Sequence, residues 1–280
     1  MLSVCTDYKT IFTNILNTGE DYLRQNTALQ SLVVGLSGGI DSALTCVLAS
    51  ELVKRMPHIR LIGRSIPIES NKADEIERGR MIGENFCAHF KQEDLTDTFQ
   101  SLHRSLAVKH DNVRPDTYEE KIRRGNIKAR LRMIYLFDLA HYENGMVLST
   151  DNYTELLLGF WTLHGDVGNY GFIQHLWKTE VYGLAGFLVD RYRKEKEFSK
   201  ADALQRCIDA VPTDGLGITD SDFDQIGVND YRTVDDILID YLRGSKTYKD
   251  HPVISRHLRS EFKRQDPLNI SREILTQGST

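Results

Sequence analysis

The sequence predicts an α/β fold in which a parallel sheet is flanked by helices. Three observations carry this. Short apolar, β-branched runs alternate with longer stretches of helical periodicity, the pattern of βαβ units joined by right-handed crossovers. The run at 31–36 is apolar without alternation, as a strand buried on both faces must be. Directly behind it, Ser37-Gly38-Gly39 makes a tight turn into a helix that opens with Asp41 and Ser42. In parallel sheets ligands collect at this carboxyl edge.

The elements follow in order. Tyr8, Ile11, Phe12, Ile15, Leu16 and Leu23 stand at helical spacing, so residues 7–25 form an amphipathic lead-in helix. After the strand at 31–36, Leu44, Val47, Leu48 and Leu52 carry a helix to about Arg55, and Pro57 breaks it. A second strand covers 59–66 and a second helix 71–89; a weaker third strand lies near 90–95. Residues 114–142 read as one long helix, with Thr117 and Glu120 at capping-box spacing just after Pro115. Another strand falls at 146–149, and helices at 178–193, 200–210, 234–242 and 251–262. Repeats, low-complexity tracts and long linkers are absent, so residues 1–280 read as a single domain.

Composition narrows the function. A net charge of -5 offers no broad basic field, which argues against nucleic acid as a main partner. Cys5, Cys46, Cys87 and Cys207 are far apart, as reduced thiols of a cytoplasmic protein would be. No apolar run approaches the roughly 18 residues of a spanning helix, and the N-terminus lacks an apolar signal core, so no membrane association is expected. The nine histidines show no His-x-x-x-His pair, which argues against zinc. Asp220, Asp222 and Asp224 imitate the start of a calcium loop, but Gln225 and Tyr231 replace the required Gly and Glu. An acidic lid near the site is the better reading of that segment.

The turn after the first strand carries the chemistry. Its glycines allow close backbone approach, so successive N–H groups of the turn can point at one anion at a helix N-terminus, which makes Gly35, Leu36, Ser37, Gly38, Gly39, Ile40, Asp41 and Ser42 the candidate ATP-binding residues. The Gly-x-x-x-x-Gly-Lys-Ser/Thr pattern is absent, so no lysine serves the phosphates from within the loop. A carboxylate at Asp41 would repel phosphates unless a divalent cation lies between them, which points to Mg²⁺. The plainer alternative is a Gly-Gly turn with Asp41 serving the helix dipole. A second cluster, Ser149-Thr150-Asp151-Asn152-Tyr153-Thr154-Glu155, follows the strand at 146–149. Thr150 can bond a nucleotide and Glu155 can supply a second metal oxygen; equally, Asp151 or Asn152 can cap a helix with Glu155 in its first turn.

Ser37-Gly38-Gly39-Ile40-Asp41-Ser42 resembles the pyrophosphate loop of the N-type ATP pyrophosphatases, a group that includes NAD, GMP, asparagine and argininosuccinate synthetases. The loop names the group and not the member. The second cluster resembles the NAD synthetase family, in which a post-strand Gly-Thr-Asp is followed by a metal-binding Glu four residues after the Asp; Ser149 replaces that Gly. Gly125–Met133, Gly159-Phe160-Trp161-Thr162, Gly165-Asp166, Pro212–Leu216, Ser221–Gly227 and Lys263-Arg264-Gln265 are similar to further segments of that family, so the resemblance spans about 30–265. It implies a Rossmann-like fold of the adenine nucleotide alpha hydrolase type and a homodimer. It also implies ATP contacts by Thr150, Lys178 and Thr213, metal ligation by Asp41 and Glu155, and contacts to deamido-NAD by Arg130 and Lys263.

What the resemblance implies chemically is an ATP-dependent amidation. The loop holds the β- and γ-phosphates and Asp41 and Lys178 act at the reacting phosphates. The substrate carboxylate attacks the α-phosphorus, pyrophosphate leaves, and ammonia converts the acyl-adenylate to amide plus AMP. A glutaminase domain would need well over 100 further residues, so free ammonia is the expected donor. Three positions depart: Leu163, Tyr170 and Phe262 stand where the family has a lysine, an aspartate and a histidine for deamido-NAD. His164, Asn169, Tyr170 and His175 could supply substitute contacts, or another carboxylate could be the substrate. Phe160, Trp161, Tyr170 and Phe172 either stack on a pyridine ring or fill the core. Arg123, Arg124, Lys128 and Arg132, beside Arg130, read as a solvated face. A sulfur- or tRNA-modifying relative would want a cysteine pair or a basic extension, and neither is present; a nucleotide sensor would bind ATP without releasing pyrophosphate.

Overall fold

A computed structural model describes residues 2–69, 71–106, 117–165, 168–212, 228–265 and 267–277. Helix α1 (Tyr8–Gln25) leads into strand β1 (Ser31–Gly35), α2 (Ile40–Arg55), β2 (Arg60–Ser65), α3 (Ala73–Phe86) and β3 (His89–Gln92). Next come α4 (Thr96–Leu106), α5 (Tyr118–Tyr142), β4 (Gly145–Ser149), α6 (Tyr153–Leu158) and β5 (Tyr170–Gly171). Beyond the sheet lie α7 (Lys178–Lys194), α8 (Phe198–Ile208), α9 (Tyr231–Leu242), α10 (Pro252–Arg259), a 3-10 turn at Glu261–Gln265 and α11 (Arg272–Thr276).

The strands form one parallel sheet in the order β3-β2-β1-β4-β5. In register, Ser31 faces Arg60 on one side and Gly145 on the other, and Gly35 faces Arg64. The chain leaves β1 toward β2 and later returns to β4 on the opposite side. The order therefore reverses at β1/β4, and a crevice opens there at the carboxyl ends of the strands.

Both faces of the sheet are covered. On one, α2 lies so deep that Ile40, Ala43, Leu44, Val47, Leu48 and Leu52 are all buried, packed with Leu16 of α1, Leu184 and Leu188 of α7 and Leu204 of α8. On the other, Val33, Ile62 and Val147 of three strands meet Ala140, Leu136 and Phe137 of α5. A third cluster joins α6 to α9 and α10 through Leu157, Leu158, Val234, Leu238, Val253 and Ile254.

Several expected boundaries move. The helix expected to 89 stops at Phe86, because Cys87 turns extended (φ -100°, ψ 139°) to feed β3, which accordingly begins at His89 and ends at Gln92. The long helix starts at Tyr118 with Thr117 as its cap, accepting from the Glu120 N–H at 3.3 Å; residues 114–116 lie outside the described residues. The Glu120 carboxylate pairs with Arg123 instead of closing the box. The last helix gives way to the 3-10 turn after Arg259. Helix α4 and strand β5 were not expected, and α6 realises the capped-helix reading of the segment after β4: β5 has only two residues, and in α4 Phe99, Leu102 and Leu106 stand at helical spacing but only Phe99 is buried. Thr213 and the acidic stretch at 220–224 lie outside the described residues. Among the described residues no helix is long and apolar enough to cross a membrane.

Candidate active site

The loop between β1 and α2 is shaped from below by α3. Gly38 adopts φ +84°, and a Cβ there would lie 2.1 Å from the Glu75 carbonyl oxygen, so only glycine fits. Arg78, anchored to Asp74 one turn earlier, donates Nε–H to the Gly38 carbonyl at 2.8 Å. Inside the loop Ser42 Oγ donates to the Gly39 carbonyl (3.1 Å) and accepts the Ser37 N–H (3.3 Å), while Gly39 N–H reaches Ser37 Oγ (3.3 Å). Gly39 is the N-cap of α2 and offers no side chain, so the helix start is left uncapped beside the cavity. Uncapped amides at a positive helix end suit an anion.

A short segment after β4 supplies the second half. Asn152, fully buried, is the N-cap of α6: its Oδ1 accepts from the Glu155 N–H at 3.0 Å and its Nδ2 donates to Asp41 Oδ1 at 2.8 Å. The capping and the catalytic readings of this segment are thus both realised, on neighbouring residues. Thr154 hydroxyl donates to Asp235 of α9 (2.5 Å) and accepts the Lys178 N–H (2.8 Å), and Asp235 also takes the N–H and hydroxyl of Thr179 at 2.9 and 2.6 Å. Asp235 thereby joins the starts of α6 and α7.

These supports bring three charges together. Lys178, only 2% exposed, places its ammonium 2.5 Å from Asp41 Oδ2 and 2.8 Å from Glu155 Oε1. Burial works against its charge, yet the attraction of Asp41 and Glu155 outweighs that cost and holds the pKa well above the ordinary lysine value. The family resemblance paired Asp41 with Glu155 as metal ligands and gave Lys178 to ATP; the direct contact of Lys178 with both carboxylates is a structural finding.

The cavity beside them has a volume of about 420 Å³, within the range of sites that enclose a small ligand. Gly35, Leu36, Ser37, Asp41, Ser42, Thr150, Glu155 and Lys263 are among its lining residues. Gly38, Gly39, Ile40 and Lys178 are not among the lining residues. Lys263 Nζ is engaged by the carbonyls of Gly159 (2.7 Å) and Trp161 (2.5 Å). Arg130 is exposed and outside the lining, its Nε donating to the Leu163 carbonyl at 3.1 Å; two residues on, Arg132 is in the lining and holds the Ile66 carbonyl (3.0 Å) and Asn71 Oδ1 (2.8 Å). The question over the aromatics divides. Phe160 and Trp161 line the cavity, whereas Phe172 is buried in the core and Tyr170 packs on Tyr22 and Phe172. Phe262 is 61% exposed.

Sequence reasoning missed Asn152 as a partner of Asp41, and also Asp235, Arg78 and Arg132. Asp235 had no discernible signal, since an aspartate in a helix pattern reads as solvent-facing. Arg132 was in view within the basic run of α5, but periodicity alone did not separate it from its neighbours.

Known proteins of one family resemble this chain in sequence and in fold. The family model described as NAD synthase matches residues 11–267. The NH(3)-dependent NAD(+) synthetase of Thermoplasma acidophilum is 30% identical over 257 residues, covering 90% of this chain and 95% of that protein. That of Methanocaldococcus jannaschii is 30% identical over 221 residues, covering 79% and 76%. Among solved structures, the NAD+ synthetase from Burkholderia pseudomallei superposes with a TM-score of 0.68 at 25% identity, covering 95% of this chain and 94% of that one. The NMN synthetase from Francisella tularensis gives 0.75 at 24% identity, covering 95% and 99%, a likeness of fold.

Proposed function

The chain belongs to the NAD synthase family, and on that premise we propose that it converts deamido-NAD to NAD at the β1/β4 crevice, using ATP and free ammonia and releasing AMP and pyrophosphate. The reaction of the family is a carbon–nitrogen ligation. The observation that carries the assignment to this crevice is the meeting of Asp41, Glu155 and Lys178 beside the uncapped start of α2.

Amides of the Ser37–Ser42 loop and the hydroxyls of Ser37 and Ser42 bind the β- and γ-phosphates, Thr150 and Thr213 steady the nucleotide, and Lys178 supplies a fixed positive charge to the phosphates. Among the described residues no cluster of three or more His, Cys, Asp or Glu could hold a metal by itself. Asp41 and Glu155 are instead a pair of carboxylates sharing one cation, the partial oxygen set that Mg²⁺ uses when substrate phosphates complete its shell, so the residues fit. Bound there, Mg²⁺ neutralises phosphate charge. Positioning and charge supply most of the rate, because attack of a carboxylate on the α-phosphorus needs little covalent help from the protein. Arg130 and Lys263 serve the dinucleotide, and the working form is one synthetase unit in a cytoplasmic homodimer.

A second reading keeps the chemistry and changes the acid. Leu163, Tyr170 and Phe262 take three positions that the family resemblance gives to polar contacts with deamido-NAD, and Tyr170 is turned into aromatic packing. One panel separates the two. Protein with Mg-ATP and ammonium is mixed in turn with deamido-NAD, nicotinate mononucleotide and other carboxylates, and AMP and pyrophosphate are measured. Release with deamido-NAD is the expected result; release only with a different acid selects the second reading, and ADP with orthophosphate refutes both. Glutamine in place of ammonium is expected to give no turnover.

A further inference from the structure

The four cysteines are scattered through the sequence, yet the fold brings two of them into contact. Cys46 belongs to α2 and is fully buried; Cys87, half-buried, is the residue on which α3 ends. Their sulfurs lie 3.4 Å apart, although the residues are 41 positions apart in the chain. Strand β2 makes the room for this contact. A Cβ on Gly63 would stand 2.6 Å from Cys87 Sγ, so any side chain at 63 would displace that sulfur.

The thiols differ in what they can meet. Cys5 is exposed and has no sulfur within bonding reach among the described residues. Cys207 is buried, and burial pushes its thiol up to about 12. The bond to Cys87, and then burial, hold the Cys46 thiol protonated, well above the usual cysteine range. A thiol sealed in this way is inert to a solution oxidant, but it faces a sulfur that is partly open to solvent. Closing the pair needs little movement, since a disulfide sets its sulfurs about 2.05 Å apart. Cys87 is extended (φ -100°, ψ 139°) at the joint between α3 and β3, so it can turn toward α2 without unwinding a helix.

We propose that Cys46 and Cys87 form a modification site, at which hydrogen peroxide converts the two thiols to a disulfide that staples α2 to the end of α3. The sulfur of Cys87 attacks one peroxide oxygen, the O–O bond breaks, water leaves, and Cys87 becomes a sulfenic acid. The sulfur of Cys46 then attacks that of Cys87; the S–O bond breaks, and the departing hydroxide takes the Cys46 proton as a second water. The pair loses two electrons and the peroxide gains them. Both joined helices serve the phosphate loop: α2 carries Asp41, and α3 shapes Gly38 through Glu75 and Arg78. The staple therefore links the two supports of that loop, whichever acid the chain amidates.

The test treats the full chain with hydrogen peroxide, then denatures, alkylates and digests it for mass spectrometry. A peptide pair joined through Cys46 and Cys87, lighter by two hydrogens and released by dithiothreitol, is the expected product. The oxidised protein should also unfold at a higher Tm, a gain that dithiothreitol removes, because the cross-link restricts the unfolded chain. In Cys46→Ala, Cys87 has no sulfur to close on and should advance to the sulfinic acid. Wild-type protein oxidised at Cys5 with Cys46 and Cys87 still alkylated overturns the proposal, and that arm needs no variant to fold. So does a cross-link through Cys207, or a wild-type Cys87 that stops at the sulfinic acid. A Cys87 that stays reduced in a folded Cys46→Ala variant overturns its part as the point of attack, and an unchanged or lowered Tm in the cross-linked protein overturns the staple.

Discussion

At the scale of single residues, the loop tolerates little. Gly38→Ala forces a side chain into the left-handed region and against the Glu75 carbonyl, where a backbone atom cannot give way. We expect a loss of at least 1–2 kcal/mol in denaturant unfolding and no measurable ATP binding by calorimetry. Asp41→Asn keeps the shape and the Asn152 contact but removes one of the two carboxylates on Lys178. Pyrophosphate release should fall at least about hundredfold, in line with losing a preorganised charge contact, and stability should fall as well, because a buried ammonium has lost half its compensation. Wild-type turnover in this variant would rule out the role given to Asp41. The residue types of the loop were legible, since Gly38, Gly39 and Asp41 are local and their chemistry follows from spacing. The clasp with Lys178, 137 positions away, was not, because no periodicity records which helix start lands beside which loop.

Between elements, Asp235 matters most. Burial raises its pKa to about 6, against the lowering effect of Thr154 and Thr179. The folded chain therefore holds a proton that the unfolded chain, near the ordinary 3.8, has released. The contribution of Asp235 to stability should decline as pH rises from about 4 to about 6 and stay constant above, a change on the order of 3 kcal/mol. Other carboxylates titrate in the same window, so the reading is the difference between wild type and Asp235→Asn in denaturant unfolding across pH. A difference that stays flat would refute the buried-acid account. Because Asp235 ties α6 to α7, the same variant should lower kcat through the placement of Glu155 and Lys178. Among the elements themselves, long helices with apolar residues at helical spacing, such as α1, α2 and α5, were legible. Short ones held by tertiary contacts, such as α4 and β5, were not.

For the whole molecule, folding and nucleotide binding should be linked. Mg-ATP at about a hundred times its Kd is expected to add roughly 2.7 kcal/mol to unfolding free energy, seen as a rise in Tm, and Asp41→Asn should remove the magnesium-dependent part. A rise of equal size in that variant would show that the cation binds elsewhere. The parallel sheet and the placement of the phosphate loop at its carboxyl edge were legible from the alternation of strands and helices. Strand order was not: nothing in the sequence states that β4, and not β3, lies beside β1, and that neighbour relation creates the crevice.

The clasp of Lys178 with Asp41 and Glu155 also bears on how such a chain can be rebuilt. One carboxylate arrives on the first βα unit and the other two groups on the second half of the sheet. Recombination between relatives that crosses over between these halves can exchange everything around the three side chains, yet every viable hybrid has to inherit all three, each from whichever parent donates its segment.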